Sequence, residues 1–219
     1  MNLSWNEVTE TIYFFDCDLE GILAAHNKWS RNLVFGTRTK TKLVSDIDIP
    51  KFMSGLVMPE SDDSLYLLVP TKSKWTACFD KEQDINALPY VLAKYAKCKA
   101  VLICVAPDTE REHRKDSSVE LKYGCVRLSY VDSGEEVRNI GAYSQGDNGR
   151  WSFRTYGDPL PFEREDLYQK RLIRHRFTPE ALDEVLKKNF GIDYTNPDFY
   201  LTNEKCMLIR RIPKFLGIF

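Results

Sequence analysis

No segment reaches the roughly 18 continuous apolar residues of a membrane-spanning helix. The opening residues, "MNLSWNEVTETIYFFDCD", lack the basic and apolar regions of a secretory signal. These absences predict a cytoplasmic protein with no membrane partner. A dominant charge is missing too: Lys+Arg number 31 against Asp+Glu 32, for a formal net charge of −1. Nothing global therefore attracts nucleic acid or anionic lipid, and such binding would need a local patch. The sequence has no Gly-x-x-x-x-Gly-Lys loop, no Gly-x-Gly-x-x-Gly after a strand, no His-Glu-x-x-His and no Gly-x-Ser-x-Gly. Common nucleotide, zinc-protease and hydrolase classes lose their usual signature, and no cofactor is expected. Internal repeats, low-complexity tracts and Gly/Ser linkers are also lacking.

What is there is a chain of 219 residues, 43% hydrophobic and 29% charged, long enough to bury a substantial core as one domain spanning 1–219. Its six cysteines, Cys17, Cys78, Cys98, Cys104, Cys125 and Cys206, lie in apolar surroundings, and none has Cys-x-x-Cys spacing. In a reducing compartment they read as small buried hydrophobes rather than disulfides or metal ligands.

Local patterns predict an α+β fold: a mostly antiparallel mixed sheet with helices packed on it. "TIYFFD" reads as a short buried strand. Residues 19–31 place Leu19, Ile22, Leu23, His26 and Trp29 on one helical face, with Asp18 to cap the first turn. "LVFGTRT" is a candidate strand, and "DIDIPKFMSGL" a loop with a short helical turn. "SLYLLVP" and "KWTACFD" are strand-length runs separated by a polar link, hence adjacent and antiparallel. "NALPYVLAKYAK" follows as a helix with Asn86 as N-cap and Pro89 in its first turn, then the apolar run "AVLICVAP". That succession allows a crossover with "KWTACFD" and "AVLICVAP" parallel.

After the charged loop 108–118, "ELKYGCVRLSYV", "EVRNIGAYSQ" and "RWSFRTYG" are separated by Gly/Asp/Asn turns and predict a β-meander. "FEREDLYQKRLIRHRF" is read as a helix on the Tyr168, Leu172 spacing. "TPEALDEVLKKNFG" has Thr178 as N-cap, Pro179 in the first turn, a Leu182, Val185, Leu186, Phe190 stripe and a terminal Gly191. "CMLIRRIPKFLGIF" reads as a last strand stopped by Pro213, with an apolar tail, Phe215, Leu216, Ile218 and Phe219, that buries on its own domain.

Candidate chemistry starts with Cys78. Alternation sets it with Thr76 and Asp80, opposite Trp75, Ala77 and Phe79; a carboxylate beside a thiol disfavours the thiolate, so packing is its expected role. The catalytic alternatives are a Cys78/His175 or a Cys17/His26 pair, assembled by folding. His26, on the apolar stripe, is otherwise a core imidazole satisfied by hydrogen bonds to neighbouring backbone or side chains, while its functional version needs a carboxylate or thiol, with Asp16 or Cys17 as the local options. His113 is taken as solvated. The acid pairs Asp46/Asp48, Asp62/Asp63 and Glu135/Glu136 sit in polar links without metal-ligand spacing. Lys170, Arg171, Arg174 and Arg176, with His175, form a basic cluster suited to phosphate or RNA, and Arg210 and Arg211 could extend it. The plainer reading pairs the cluster with "FEREDL" and with the helix dipole.

Over residues 64–107 the chain resembles uncharacterised bacterial cytosolic proteins that carry a Trp-Thr-Ala-x-Phe-Asp strand before a helix. In size and lack of catalytic motifs it also resembles, by type, immunity proteins that neutralise antibacterial toxins. It departs from the acidic balance that many such inhibitors have. The resemblance implies a non-enzymatic protein with a toxin-like protein partner; an enzyme with a dispersed Cys/His site and an RNA- or phosphate-binding protein are the alternatives.

Overall fold

A computed structural model describes residues 11–32, 37–56, 64–80, 87–108, 123–145 and 150–213. Nine antiparallel strands form one continuous sheet: β1 (Thr11–Phe15), β2 (Thr37–Val44), β3 (Ser64–Pro70), β4 (Thr76–Asp80), β5 (Lys99–Ala106), β6 (Cys125–Asp132), β7 (Glu135–Gln145), β8 (Arg150–Tyr156) and β9 (Cys206–Pro213). Their order across the sheet is β2-β9-β3-β4-β1-β5-β6-β7-β8. Four helices, α1 (Leu19–Arg31), α2 (Ile49–Ser54), α3 (Leu88–Ala96) and α4 (Pro179–Val185), pack on it, as the α+β reading expects.

The two faces of the sheet are built by period-two alternation. On the upper face Tyr13, Phe15, Tyr66, Leu68, Cys78, Ala100 and Leu102 meet α1 and α3. On the lower face Phe14, Leu67, Phe79, Val101, Ile103, Leu128 and Ile140 meet α2, α4 and the segment from Phe177 to Tyr200. Strands covered on both faces must be apolar throughout, which is why "SLYLLVP" and "AVLICVAP" lack alternation.

Local signals act where they were expected. The Asp18 carboxylate accepts from the Gly21 amide at 2.8 Å and caps α1. Thr178 accepts from the Ala181 amide at 3.3 Å, and Gly191 closes the following turn with φ +65°. α4 gives way to a π-helical turn over Leu186–Phe190, with the Asn189 side chain donating to the Val185 carbonyl at 3.0 Å. The meander β6-β7-β8 is present, its first turn running through Ser133 and Gly134, both at positive φ. β3 and β4 are antiparallel neighbours.

Two expectations are corrected. β4 and β5 do run in the same direction, but β1 lies between them and is antiparallel to both, so they are not adjacent. The candidate strand at "LVFGTRT" is described from Thr37, where it forms the start of β2, while its first four residues lie outside the described residues. Residues 163–177 form no α-helix. They contain two short 3-10 turns, Glu165–Leu167 and Ile173–His175, because Glu163 is drawn into a buried ion pair with Arg138 of β7 and Leu172 stays 52% exposed. Arg138 Nη2 stands 2.7 Å from Glu163 Oε2, and Arg138 Nη1 donates to the carbonyls of Tyr156 and Gly157 at 3.1 and 2.6 Å. This network straps the segment after β8 beneath the sheet.

No helix among the described residues is long and apolar enough to cross a membrane. Asn86, Asp62, Asp63, His113, the rest of the charged loop beyond Asp108, and the apolar tail lie outside the described residues.

Candidate binding face

The sequence-predicted catalytic pairs do not assemble. Cys78 is fully buried on the upper face, in register between Leu68 of β3 and Tyr13 of β1. Burial, reinforced by Asp80, holds its thiol protonated well above the usual range. Tyr13 is raised in the same way, and its hydroxyl donates to Asp80 Oδ2 at 3.5 Å. His175 sits on an exposed turn beside β7 and β8. Four strand spacings, roughly 19 Å, separate β4 from β7. Cys17 lies at the capped end of α1, whereas His26 is two turns further on, about 10 Å along the axis from Leu19.

His26 is fully buried, edge-on to Trp29 (5.6 Å) and Tyr66 (5.9 Å). Contrary to expectation, neither of its nitrogens has a hydrogen-bond partner among the described residues. Burial, with the Arg211 guanidinium behind it, lowers its pKa to about 4, so it is neutral. Asp16 serves a different partner, Lys74, at 2.6 Å.

The basic cluster is exposed but differs in form from the reading above. Lys170, Arg171 and Arg174 project from turns rather than a helix end. Arg176 is half-buried, its Nε donating to the Lys170 carbonyl at 2.9 Å and its guanidinium 5.9 Å above the Phe153 ring. The expected ion pairs with "FEREDL" are replaced by Arg138 with Glu163 and Arg164 with Asp166. Arg210 and Arg211 are on β9, near the far edge of the sheet, and do not extend the cluster. Of the acid pairs, Asp48 caps α2 through the Lys51 amide, and Glu136 accepts from Tyr90 and Asn139 rather than from water alone.

The surface that alternation alone could have revealed lies on β6, β7 and β8. The upper-face apolar cluster ends at Val131, where α3 packs against β6 and β7 and Tyr90 donates to Glu136. Cys125, Arg127 and Ser129 of β6 face upward. Beside them in register stand Tyr143, Gly141 and Asn139 of β7, then Ser152, Arg154 and Tyr156 of β8. Arg127, Gly141 and Arg154 make one cross-strand row. A Cβ at Gly141 would meet the Cβ and Cγ of Arg127 at 3.4 Å, so the arginine stem lies along the bare glycine. The Arg154 guanidinium stands 5.8 Å from the Tyr143 ring centre.

Together with Glu136 and Thr155 these residues, Ser129 and Ser152 excepted, line an open cavity of about 550 Å³. Asn139 donates to Ser129 Oγ at 2.9 Å and to Glu136 Oε1 at 2.8 Å, which fixes the floor. Neither Arg127 nor Arg154 forms an ion pair with a described carboxylate. Tyr156 is 61% exposed. The result is a β surface that offers tyrosine rings and guanidiniums without an ion-pair partner among the described residues.

A larger cavity, about 880 Å³, opens at the other end of the sheet among Leu43, Thr71, Lys74, Trp75 and Met207. Its Lys74 is already bound to Asp16, and the Trp75 indole donates to the Phe190 carbonyl at 2.8 Å. No three His, Cys, Asp or Glu side chains among the described residues converge to hold a metal ion. Compared with protein-family models, curated proteins and solved structures, the chain matches none of them.

Proposed function

We propose that the protein is a non-enzymatic binding protein that engages an acidic surface of a partner protein through the β6-β7-β8 face, with neutralisation of an antibacterial toxin as its most concrete form. One observation carries the reading: beyond the margin where Tyr90 of α3 donates to Glu136, this part of the sheet displays Arg127 and Arg154, neither with a carboxylate partner among the described residues. Arginine and tyrosine are the side chains that most often anchor protein interfaces, because each combines a flat apolar body with a directional donor. Unpaired guanidiniums bring an attraction for carboxylates and lose no internal ion pair on binding.

The test is a tagged pull-down from the native cell, with the product of the neighbouring gene included as bait. Wild type is compared with the Arg127→Glu/Arg154→Glu protein and with a Lys170→Glu/Arg174→Glu control. A single stoichiometric partner should be retained by wild type and control, and its affinity should fall about 100-fold or more in the first variant. A partner held equally by all three places the interface elsewhere, and no partner at all sinks the reading.

A second reading rests on the exposed cations Lys170, Arg171 and Arg174, none of which pairs with a described carboxylate. Binding of RNA there would weaken steeply with added salt, and no binding at low salt dismisses it.

A further inference from the structure

Cys17 and Cys98 are far apart in sequence, and the ladder between β1 and β5 brings them together. Phe15 pairs with Ala100, and beyond it the Asp16 amide donates to the Lys99 carbonyl at 2.9 Å. Cys17 and Cys98 come one residue beyond that last link, and both pack against the same apolar cluster. Rungs alternate in an antiparallel pair, and a continued ladder would make this a non-hydrogen-bonded one, for which Cα atoms stand about 4.5 Å apart. Cys98 directs its backbone elsewhere: its amide donates to the Ala93 carbonyl and its carbonyl accepts from the Ser133 amide, each at 3.0 Å.

Alternation sends both thiols to the upper face, where both are half-buried at the margin of the apolar cluster. Gly21 leaves room for one of them, since a Cβ there would lie 2.3 Å from the Cys17 sulfur. A rung of this spacing falls within the roughly 4.4–6.8 Å that a disulfide spans between Cα atoms.

We propose that Cys17 and Cys98 are an oxidative modification site, at which a two-electron oxidant such as hydrogen peroxide joins them in a cross-strand disulfide. One thiol, as its thiolate, attacks a peroxide oxygen, breaks the O–O bond and becomes a sulfenic acid, with water leaving after proton transfer. The second sulfur then attacks the first and expels the hydroxyl, which departs as a second water. Two thiols and one peroxide thus give one disulfide and two waters. The bond ties the start of α1 to the end of α3, the two helices that cover the upper face.

The surroundings slow both the making and the breaking of the bond, because few thiolates are present to attack the peroxide and a disulfide once made is slow to be reduced. Burial, then Cys17 and the carboxylates of Asp16 and Asp132, raise the Cys98 thiol to about 12, and burial with Asp18 raises Cys17. Reduction must expel one of these sulfurs as a thiolate, and a thiol whose proton is held tightly is a slow leaving group.

The experiment treats the full chain with a small excess of hydrogen peroxide, blocks the remaining thiols, and maps the peptides without reduction. The expected product is one linked peptide pair containing Cys17 and Cys98, with a Tm higher by roughly 5–15 °C. Cys17→Ser should lose both the link and the shift. Sulfenic acid trapped at either cysteine without linked peptides overturns the proposal. So does a link that forms equally fast in urea-unfolded protein. Should Cys17→Ser fail to fold, the wild-type map with its urea control decides alone.

Discussion

The sheet has two halves that obey different rules. In β9, β3, β4, β1 and β5 both faces are covered, and Phe14, Phe15, Leu67, Val69, Ala77, Cys78, Phe79 and Val101 are completely excluded from water. In β6, β7 and β8 the lower face still packs, through Leu128, Ile140 and Ala142, while the upper face carries Arg127, Asn139, Tyr143 and Arg154. Where α3 stops covering the strands, the sequence changes from continuous apolar runs to an alternation that a bulge at Tyr130/Val131 interrupts. The first half supplies stability. The second supplies a surface held rigid by the first.

That contrast can be broken by mutation, and the largest effect belongs to the doubly covered half. Phe14→Ala should cost about 3–5 kcal/mol in urea unfolding, since the ring is fully buried and meets Phe199 at 6.5 Å. Tyr143→Ala, on β7 next to the β8 edge of the sheet, should cost less than about 1 kcal/mol, and equal losses would erase the distinction. Next comes Arg138→Met, which leaves Glu163 buried without its cation and should cost about 3–5 kcal/mol by the same measurement. Adding Glu163→Leu should recover much of that loss, because two apolar side chains leave no charge stranded.

His26 gives a pH signature to the covered half alone. Its folded pKa near 4 lies below the ordinary 6.5, so on acidification the unfolded chain takes up the proton first. The stability it confers is whole above about pH 6.5, falls as the pH drops toward 4, and is flat below that, with a total loss of at most about 3 kcal/mol. Arg211 from β9 and Tyr66 from β3 face the same imidazole. Denaturant unfolding of wild type against His26→Phe across pH 4–7 should show this slope in wild type only. The smallest effect is expected on the open half: Arg127→Ala/Arg154→Ala should shift unfolding by no more than about 0.5 kcal/mol while weakening partner binding, by less than the charge reversal does.

Much of the fold was legible because its signals are local. Asp18 before an apolar stripe, Thr178-Pro179 before another, and the Asp-Ser-Gly turn between β6 and β7 each act within a few residues. The failures are long-range. The Tyr168, Leu172 spacing mimics a helix, but the pull on Glu163 comes from Arg138, 25 residues away. The insertion of β1 between β4 and β5 depends on pairings that no short window contains. At the candidate face the alternation of Cys125, Arg127 and Ser129 could be read, whereas the bareness above it depends on where α3 ends over the sheet. His26 was recognised as a core residue; its lack of hydrogen-bond partners was not foreseeable from the stripe.

The place of β9 has a consequence for how the chain acquires its shape. It lies between β2 and β3, and β2 has no other strand neighbour among the described residues. A polypeptide emerging in order from the ribosome must therefore hold β2 and one edge of β3 open until residues 206–213 have been made. Contacts closed over such sequence distances slow folding, and unpaired strand edges invite association with other chains in the interval. The threonines and lysines that alternate through Thr39, Lys40, Thr41 and Lys42 keep that waiting strand polar. The last strand is thus a keystone, and the finished sheet forms only after synthesis has reached it.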